Sequence, residues 1–484
     1  MQPLGPDLRS FVGAGLDHHA RLRPDETALV LGSRSWSRRS LFLEVSAFSD
    51  HLGENHVPGA LIGVALADPA DALIAFFACA RARCVAVLIN PDWPQAQYRA
   101  VLENIDLALV IDAPVWRMPG FKSASGVALS GTPAPNDLFY AGFTSGSTGV
   151  PKGYIRDHKS WTASFALSDA VFGIGPGDTV FIAGSLHHSL HLYGAVQALE
   201  AGAALALHDA FRPRQLAEDM TRAAAAVYYA TPTQLHYLAK TLERMSDPRP
   251  PRLIMASGAK WDDADRAALQ ELIPDTRFAE FYGASETSFV AIATFDGAVP
   301  EGSVGKPAPG VAVSIRDADG HPVPAGTPGR ILVKSDLLFS GYICGAGAAE
   351  WRDGWLSVGD RGVLDPDGFL FVEGRENRMM LSAGLNIYPE EIERCLARHP
   401  AVEHVAVFGV ADPVRGARPV AALLLRAPVD IPDLQVFCAE RIGRAKVPSH
   451  FVVREEWPLT PGGKTDLKRI EHELIATLSS RGAA

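Results

Sequence analysis

Between Leu61 and Ile111 the chain alternates short apolar runs with helical periods, and this alternation most restricts its fold. Leu61 to Leu66 reads as a strand, Ala70 to Ala80 as a helix and Cys84 to Ile89 as a strand. Pro91 and Pro94 interrupt the pattern before a helix over Tyr98 to Asn104 and a strand over Leu107 to Ile111. Such succession predicts βαβ units on a parallel sheet. The rhythm resumes with Thr179 to Ala183, a helix around Gly194 to Glu200 and a strand at Ala203 to Leu207. A helix over Leu216 to Ala225 and a strand at Val227 to Ala230 follow, so a second α/β layer is expected.

After Glu301 the texture changes. Glycine and proline become dense and the apolar runs shorten, as in GSVGKPAPGVAV and DGWLSVGDRGVLDPDGFLFVEGR, which predicts a small antiparallel β-barrel or sheet. From Ile387 the style shifts again: Pro389-Glu390-Glu391 opens a helix with proline first and acids in the first turn. Val402 to Val410, Val420 to Leu425, a helix near Asp433 to Ile442 and Phe451 to Arg454 then fit a compact α+β unit. With 484 residues a single core is improbable, since cores rarely grow beyond roughly 250–300 residues. The expected division is a large α/β part over residues 1–376, holding two α/β layers plus the small barrel, and a smaller part over 377–484.

Charge narrows the partners. Lys and Arg number 45 against 55 Asp and Glu, a net −10, which argues against nucleic acid or an anionic membrane but leaves room for one small anionic ligand. The apolar run Ala72 to Ala80, ended by Arg81 and Arg83, falls short of the roughly 20 residues a membrane span needs. The first residues show no basic stretch followed by an apolar one, so no signal peptide is expected. Five cysteines without close pairs suit a reduced, cytoplasmic setting and no zinc site.

The most informative stretch is Phe143-Thr144-Ser145-Gly146-Ser147-Thr148-Gly149-Val150-Pro151-Lys152-Gly153. Its glycines let a backbone approach a phosphate, its hydroxyls and N–H groups can wrap the oxygens, and Lys152 supplies positive charge. A Walker A loop is excluded, because Pro151 precedes the lysine and Gly153 follows it. Hydroxyl–glycine clusters are commonly plain turns, so the loop needs company.

That company is present in order. Ala256-Ser257-Gly258-Ala259, Phe281-Tyr282-Gly283-Ala284-Ser285-Glu286-Thr287, Trp355-Leu356-Ser357-Val358-Gly359-Asp360, Gly374-Arg375, Ser382 to Glu393 and Pro458 to Lys464 follow the loop. Together these segments resemble the adenylate-forming superfamily of acyl-CoA synthetases, peptide-synthetase adenylation domains and luciferases, and most resemble an acyl- or aryl-CoA ligase. His158 also fits, since the family often carries a histidine shortly after the lysine. The likeness runs from about Leu61 to Ile470.

The resemblance implies roles. Thr144 to Gly149 and Lys152 would hold the ATP phosphates, Ser257, Gly258 and Ala259 would lie against adenine, and Tyr282 with Gly283 would give the base an aromatic face. Ser285 would bond the α-phosphate, and Glu286 would ligate Mg2+, a hard cation suited to carboxylate oxygen. Asp360 and Arg375 would meet the ribose, although Gly-Asp pairs are often plain turns. Lys464 would reach the α-phosphate and the substrate carboxylate. The smaller part would be mobile, with Asn377 as its hinge and Gly384 lining a tunnel for the pantetheine arm of coenzyme A.

His188, Leu192, Tyr229 and Val290 are the expected acyl-pocket residues. Relatives that activate amino acids carry an aspartate early in this segment, whereas Gly184 to Ala195 has none. A buried ammonium without an acid is costly, so the substrate is expected to be an aryl or short-to-medium aliphatic acid without an α-amine. Several positions depart from the family: Ser285 replaces a threonine, Asn377 stands where Asp or Lys is usual, Arg378 where an acid is common, and Ala383 replaces the first of two glycines. The alternatives are loading of an acyl carrier protein instead of coenzyme A, or an adenylate-binding regulator without turnover.

Overall fold

The alternation from Leu61 to Ile111 supplies the three strands at one edge of a mixed six-stranded sheet. Leu61–Val64 pairs in parallel with Val85–Leu88 and with Leu109–Ile111. Leu138–Thr144 joins beside Val85–Leu88, and Lys152–Asp157 and Gly341–Cys344 complete it antiparallel. The computed structural model describes residues 10–117, 121, 131–144, 151–245, 249–345, 349–460 and 463–480. Ser145, Gly146, Ser147, Thr148 and Gly149 therefore lie outside the described residues, between two paired strands whose ends Thr144 and Lys152 face each other.

A nine-stranded sheet forms the second layer. Its centre is parallel: Ala204–His208, Thr179–Ala183, Ala226–Ala230, Leu253–Ala256 and Arg277–Ala284 lie side by side. Ser288–Thr294 and Lys306–Pro307 close one edge antiparallel, and the hairpin of Thr27–Leu31 and Arg34–Ser37 closes the other. Helix Pro69–Arg81 starts on Asp68, whose carboxylate accepts from the N–H groups of Ala70 and Asp71. Every residue from Ala70 to Ala80 is buried, as an all-round apolar helix should be when packed inside a core. One apolar cluster contains this helix, helix Ser189–Glu200 and strands of both sheets.

Helix Ser189–Glu200 begins five residues before the expected Gly194. Nothing between them breaks a helix, and Gly194 is tolerated because the Tyr229 ring lies against it, 2.9 Å from where a Cβ would stand. Helix Pro213–Arg222 likewise starts earlier than read, on a proline at its first turn.

Beyond Glu301 the expected small barrel region is a six-stranded antiparallel sheet, ordered Glu350–Arg352, Trp355–Ser357, Gly329–Lys334, Asp360–Leu364, Leu370–Arg375, with Ala312–Arg316 on the other edge of Gly329–Lys334. The last unit is α+β. Val402–Asp412 and Gly416–Leu425 form a long hairpin, and His450–Arg454 pairs in parallel with the second strand. Alternation sorts its two faces: Val407, Ala421 and Leu423 pack with helices Pro389–Ala397 and Ile431–Ile442. Ala406, Phe408, Val420 and Ala422 pack with helix Leu467–Ser480 on the other face. Among the described residues no helix is long and apolar enough to cross a membrane.

Candidate active site

The central parallel strands end at one rim. Ala226–Ala230 runs into Thr231, Leu253–Ala256 into Ser257 and Gly258, and Arg277–Ala284 into Ser285. Crevices at the carboxyl ends of parallel strands are where open α/β sheets bind ligands. The end of strand Arg277–Ala284 needs its glycine, since a Cβ on Gly283 would stand 1.7 Å from the Ser288 carbonyl oxygen.

Asp360 is 3% exposed and is bracketed from both sides. The Tyr282 hydroxyl donates to Oδ2 at 2.5 Å, and Arg375 Nε donates to Oδ1 at 2.9 Å. Asp360 and Arg375 face each other across paired strands, so the sheet register fixes this contact. Burial and the nearby Asp360 carboxylate push the Tyr282 phenol well above its ordinary value, so it stays a donor.

Lys464 comes from the smaller part and reaches this rim. Its turn closes on itself: Thr460 N donates to the Lys464 carbonyl at 2.7 Å, and Lys464 N donates to Thr460 Oγ1 at 3.2 Å. The Thr231 hydroxyl caps helix Pro232–Leu242 by accepting from Gln234 N, and the same hydroxyl donates to the Gly463 carbonyl at 3.1 Å. Lys464 passes so close to Gly258 that a Cβ there would stand 2.6 Å from Lys464 Cε. The residue keeps access to solvent, yet the protein around its ammonium and the Arg375 charge lower its pKa.

Ser285 Oγ lies 2.9 Å from Ser189 Oγ, and Arg156 Nη1 donates to the Ser285 carbonyl at 2.6 Å. Glu286 is 9% exposed, with Oε1 accepting from the Tyr342 hydroxyl at 2.9 Å. Among the described residues no donor holds its other oxygen, so Glu286 fits a hard cation that also takes phosphate oxygens.

Beside Ser285 lies a cavity of about 110 Å3. Trp161, Tyr193, Phe281 and Phe289 supply aromatic walls, Tyr140, Tyr154 and Arg156 a polar side, and Ser257, Gly258 and Lys464 border it toward the rim. The four expected pocket residues do not line it. Leu192, Tyr229 and Val290 are buried in the core at 1%, 0% and 1% exposure, and His188 stands at the start of helix Ser189–Glu200. Their neighbours in phase do line it: Ser189, Leu190 and Tyr193 on the helix, and Phe289 on the strand. Burial, with His191 and Lys464 nearby, lowers the His188 pKa to about 3, so its ring is neutral.

Lys152 opens the strand Lys152–Asp157, and Ala259 is exposed beyond Gly258. Asn377 is exposed within the short turn Glu376–Arg378. Its neighbours are tied to opposite sides: Glu376 pairs with Arg330 at 3.0 Å, and Arg378 pairs with Glu390 at 2.9 Å and Glu393 at 2.8 Å. Gly384 faces open space, with no atom within 4 Å of a Cβ built on it, so in this arrangement no tunnel wall requires glycine there. His158 is a core group: its Nδ1 accepts from Val12 N at 3.0 Å and its ring stacks on Phe139.

Sequence reasoning missed Arg156, Tyr140, Tyr154, Ser189, Tyr193 and Tyr342. Two signals were available. Ser189 and Tyr193 are four apart and share a helix face, and Tyr154 and Arg156 are two apart and share a strand face.

Residues 16–343 match the AMP-binding enzyme family, and residues 391–464 match the AMP-binding enzyme C-terminal domain. The chain is 36% identical over 412 residues to the uncharacterized acyl–CoA ligase YhfT of Bacillus subtilis, covering 82% of this chain and 84% of that one. It is 27% identical over 475 residues to the 2-succinylbenzoate–CoA ligase of Bacillus pumilus, covering 94% and 96%. Among solved structures, the O-succinylbenzoate coenzyme A synthetase MenE of Bacillus subtilis, in complex with ATP and magnesium ion, superposes with a TM-score of 0.83 at 26% identity, covering 94% of this chain and 99% of that one. The match over residues 16–343 shows that the chain belongs to the AMP-binding enzyme family.

Proposed function

We propose that this chain couples ATP to a carboxylic acid lacking an α-amine, in the cavity beside Ser285, and passes the acyl group to coenzyme A. The chain is an AMP-forming acid–CoA ligase. The observation that carries the assignment of the site is the convergence of Lys464, from the smaller part, with Ser257, Gly258 and Ser285 around one cavity.

The chemistry follows from charge. A carboxylate attacking the α-phosphorus of ATP, with pyrophosphate leaving as the α–β anhydride bond breaks, meets an anion, so positive groups already in place lower the barrier most. Lys464 and Arg375 supply two charges at the rim, and Lys152 supplies a third beside the glycine-rich loop. Asp360, held by Tyr282 and Arg375, presents a carboxylate to the ribose hydroxyls. Ser285 offers a hydroxyl to the α-phosphate, with Ser189 orienting it. Glu286 would hold Mg2+, which neutralises charge on the phosphates when bound. Tyr342 fixes the Glu286 carboxylate in place for it.

In the second step the lysine must leave so that the thiol can reach the acyl-adenylate. Residues 1–376 and 377–484 are the two parts that move, and Asn377 is the pivot. Support comes from Glu376 and Arg378, each tied to its own part by ion pairs while Asn377 is left exposed.

ATP–pyrophosphate exchange over a panel of acids tests activation. Product analysis with coenzyme A and with a phosphopantetheinyl carrier protein, in separate reactions, tests the acceptor. Exchange with an acid and acyl-CoA formation are expected. Acyl transfer only to the carrier would replace coenzyme A as acceptor, and ATP binding without exchange would make the chain an adenylate-binding regulator.

A further inference from the structure

Arg156 is 2% exposed on the strand Lys152–Asp157, with Tyr154 on the same face. A guanidinium carries five N–H donors and keeps its charge. Nη1 bonds the Ser285 carbonyl at 2.6 Å, Nη2 bonds the Leu337 carbonyl, and Nε reaches Ser160 Oγ at 3.4 Å. All three acceptors are uncharged. Among the described residues no carboxylate pairs with this cation: Asp157 caps Ser160 N at 2.8 Å, and Glu286 accepts from Tyr342. Asp157 and Glu286 act on this buried cation only through space, with no hydrogen bond to it, so an anion arriving in contact with it is stabilised.

Arg156 borders the cavity, so such an anion has a place to arrive. Next to it the Tyr154 hydroxyl lies 2.5 Å from the Tyr140 hydroxyl, and both tyrosines border the same space. The space measures about 110 Å3, below the roughly 150 Å3 of a cavity that admits one benzene.

Resting on the reading that this cavity takes the acid, we propose that the substrate is a short acid with a second carboxylate, held by the spare Arg156 donors and the Tyr154 hydroxyl. The first carboxylate then lies toward Lys464 and Ser285. Charge selects the substrate at one end while the aromatic walls limit its length.

The test compares succinate, glutarate and adipate with butyrate, pentanoate and hexanoate in ATP–pyrophosphate exchange. The parent chain is expected to favour the dicarboxylates in kcat/KM on the order of tenfold or more, as a charge-assisted hydrogen bond allows. Arg156→Met should invert that preference, and Arg156→Lys should keep part of it. A parent chain preferring the monocarboxylates overturns the proposal, whatever the variants do. Equal losses in both series for Arg156→Met also overturn it, leaving Arg156 as a brace for the Ser285 and Leu337 carbonyls. Thermal shifts with each acid and AMP separate the two readings. A dicarboxylate shift that Arg156→Met removes, without exchange by any acid, would support the binding assignment while defeating acid activation. Neither shift nor exchange would overturn both.

Discussion

Lys240 donates to Glu403 at 2.6 Å, joining helix Pro232–Leu242 of the large part to strand Val402–Asp412 of the small one. His236 Nε2 lies 3.4 Å from the same carboxylate, and Arg398 reaches Glu301 at 2.7 Å. Burial works to raise the Glu403 pKa, but Lys240 and His236 hold it below its ordinary value. These contacts belong to the arrangement that delivers Lys464. Glu403→Gln should therefore slow adenylation by a few-fold, matching the ~0.5–1 kcal/mol of a partly exposed pair. Transfer from preformed acyl-adenylate should be unchanged. A double-mutant cycle with Lys240→Met, read in both half-reactions, checks this; equal slowing of both steps would contradict it.

Lys464→Ala should remove adenylation by about a hundredfold or more, the scale of losing one preorganised charge at a developing anion. The same variant should still convert preformed acyl-adenylate and coenzyme A to product. Single-turnover assays of the two steps give the answer directly, and comparable loss in both would end the two-arrangement account.

Acid should destabilise the fold through His158. Burial lowers its pKa to about 3, and its Nδ1 is already occupied as acceptor for Val12 N. The unfolded chain takes up this proton near pH 6.5 while the folded chain refuses it, so stability falls as pH drops from about 6.5 toward 3. Each unit of difference corresponds to about 1.4 kcal/mol. His158→Asn keeps an acceptor for Val12 N but cannot titrate there. Its melting temperature should be lower at neutral pH, through lost stacking on Phe139, and less steep between pH 6.5 and 4. An unchanged slope would remove His158 from the account.

Ala383 and Gly384 form the two-residue turn between Met380–Ser382 and Leu385–Ile387, with φ of 50° and 82°. Such turns need both residues at positive φ, which alanine resists at about 1 kcal/mol. Ala383→Gly should raise the stability of the small part by roughly that amount, less the entropy glycine adds to the unfolded chain. Calorimetric melting of the full chain would show it, and a lower melting temperature would refute the strain argument.

Legibility in the sequence followed the physics of each segment. Ser285, Glu286 and Lys464 sit in short turns, and Tyr282 and Asp360 on strands beside Gly283 and Gly359, where local order nearly determines which side chain faces the rim. The pocket walls lie on regular elements instead. Whether Leu192 or Tyr193 faces the cavity depends on the rotation of helix Ser189–Glu200 about its axis, and Val290 or Phe289 on the phase of strand Ser288–Thr294. Packing between the two sheets decides both, and no nearby residue announces it. Arg156 was hidden differently: a charge inside a strand reads as a solvated edge until the strand is seen buried. The layers themselves were legible, because apolar runs of four to six residues punctuated by helices have few other solutions. The hairpin of Thr27–Leu31 and Arg34–Ser37 was not read, because its strands are only five and four residues long and the second is mostly polar.

Gly258 has a consequence for how such a chain can be rewired. The hollow left by its missing side chain lodges the outer part of Lys464, which would have to shift if a Cβ stood there. A single methyl at this site, on a backbone that already sits at a φ of 94°, would act as a doorstop. Gly258→Ala is therefore expected to slow the making of adenylates more than the handing on of acyl groups supplied as adenylates, since it crowds the lysine assigned to the first of these steps.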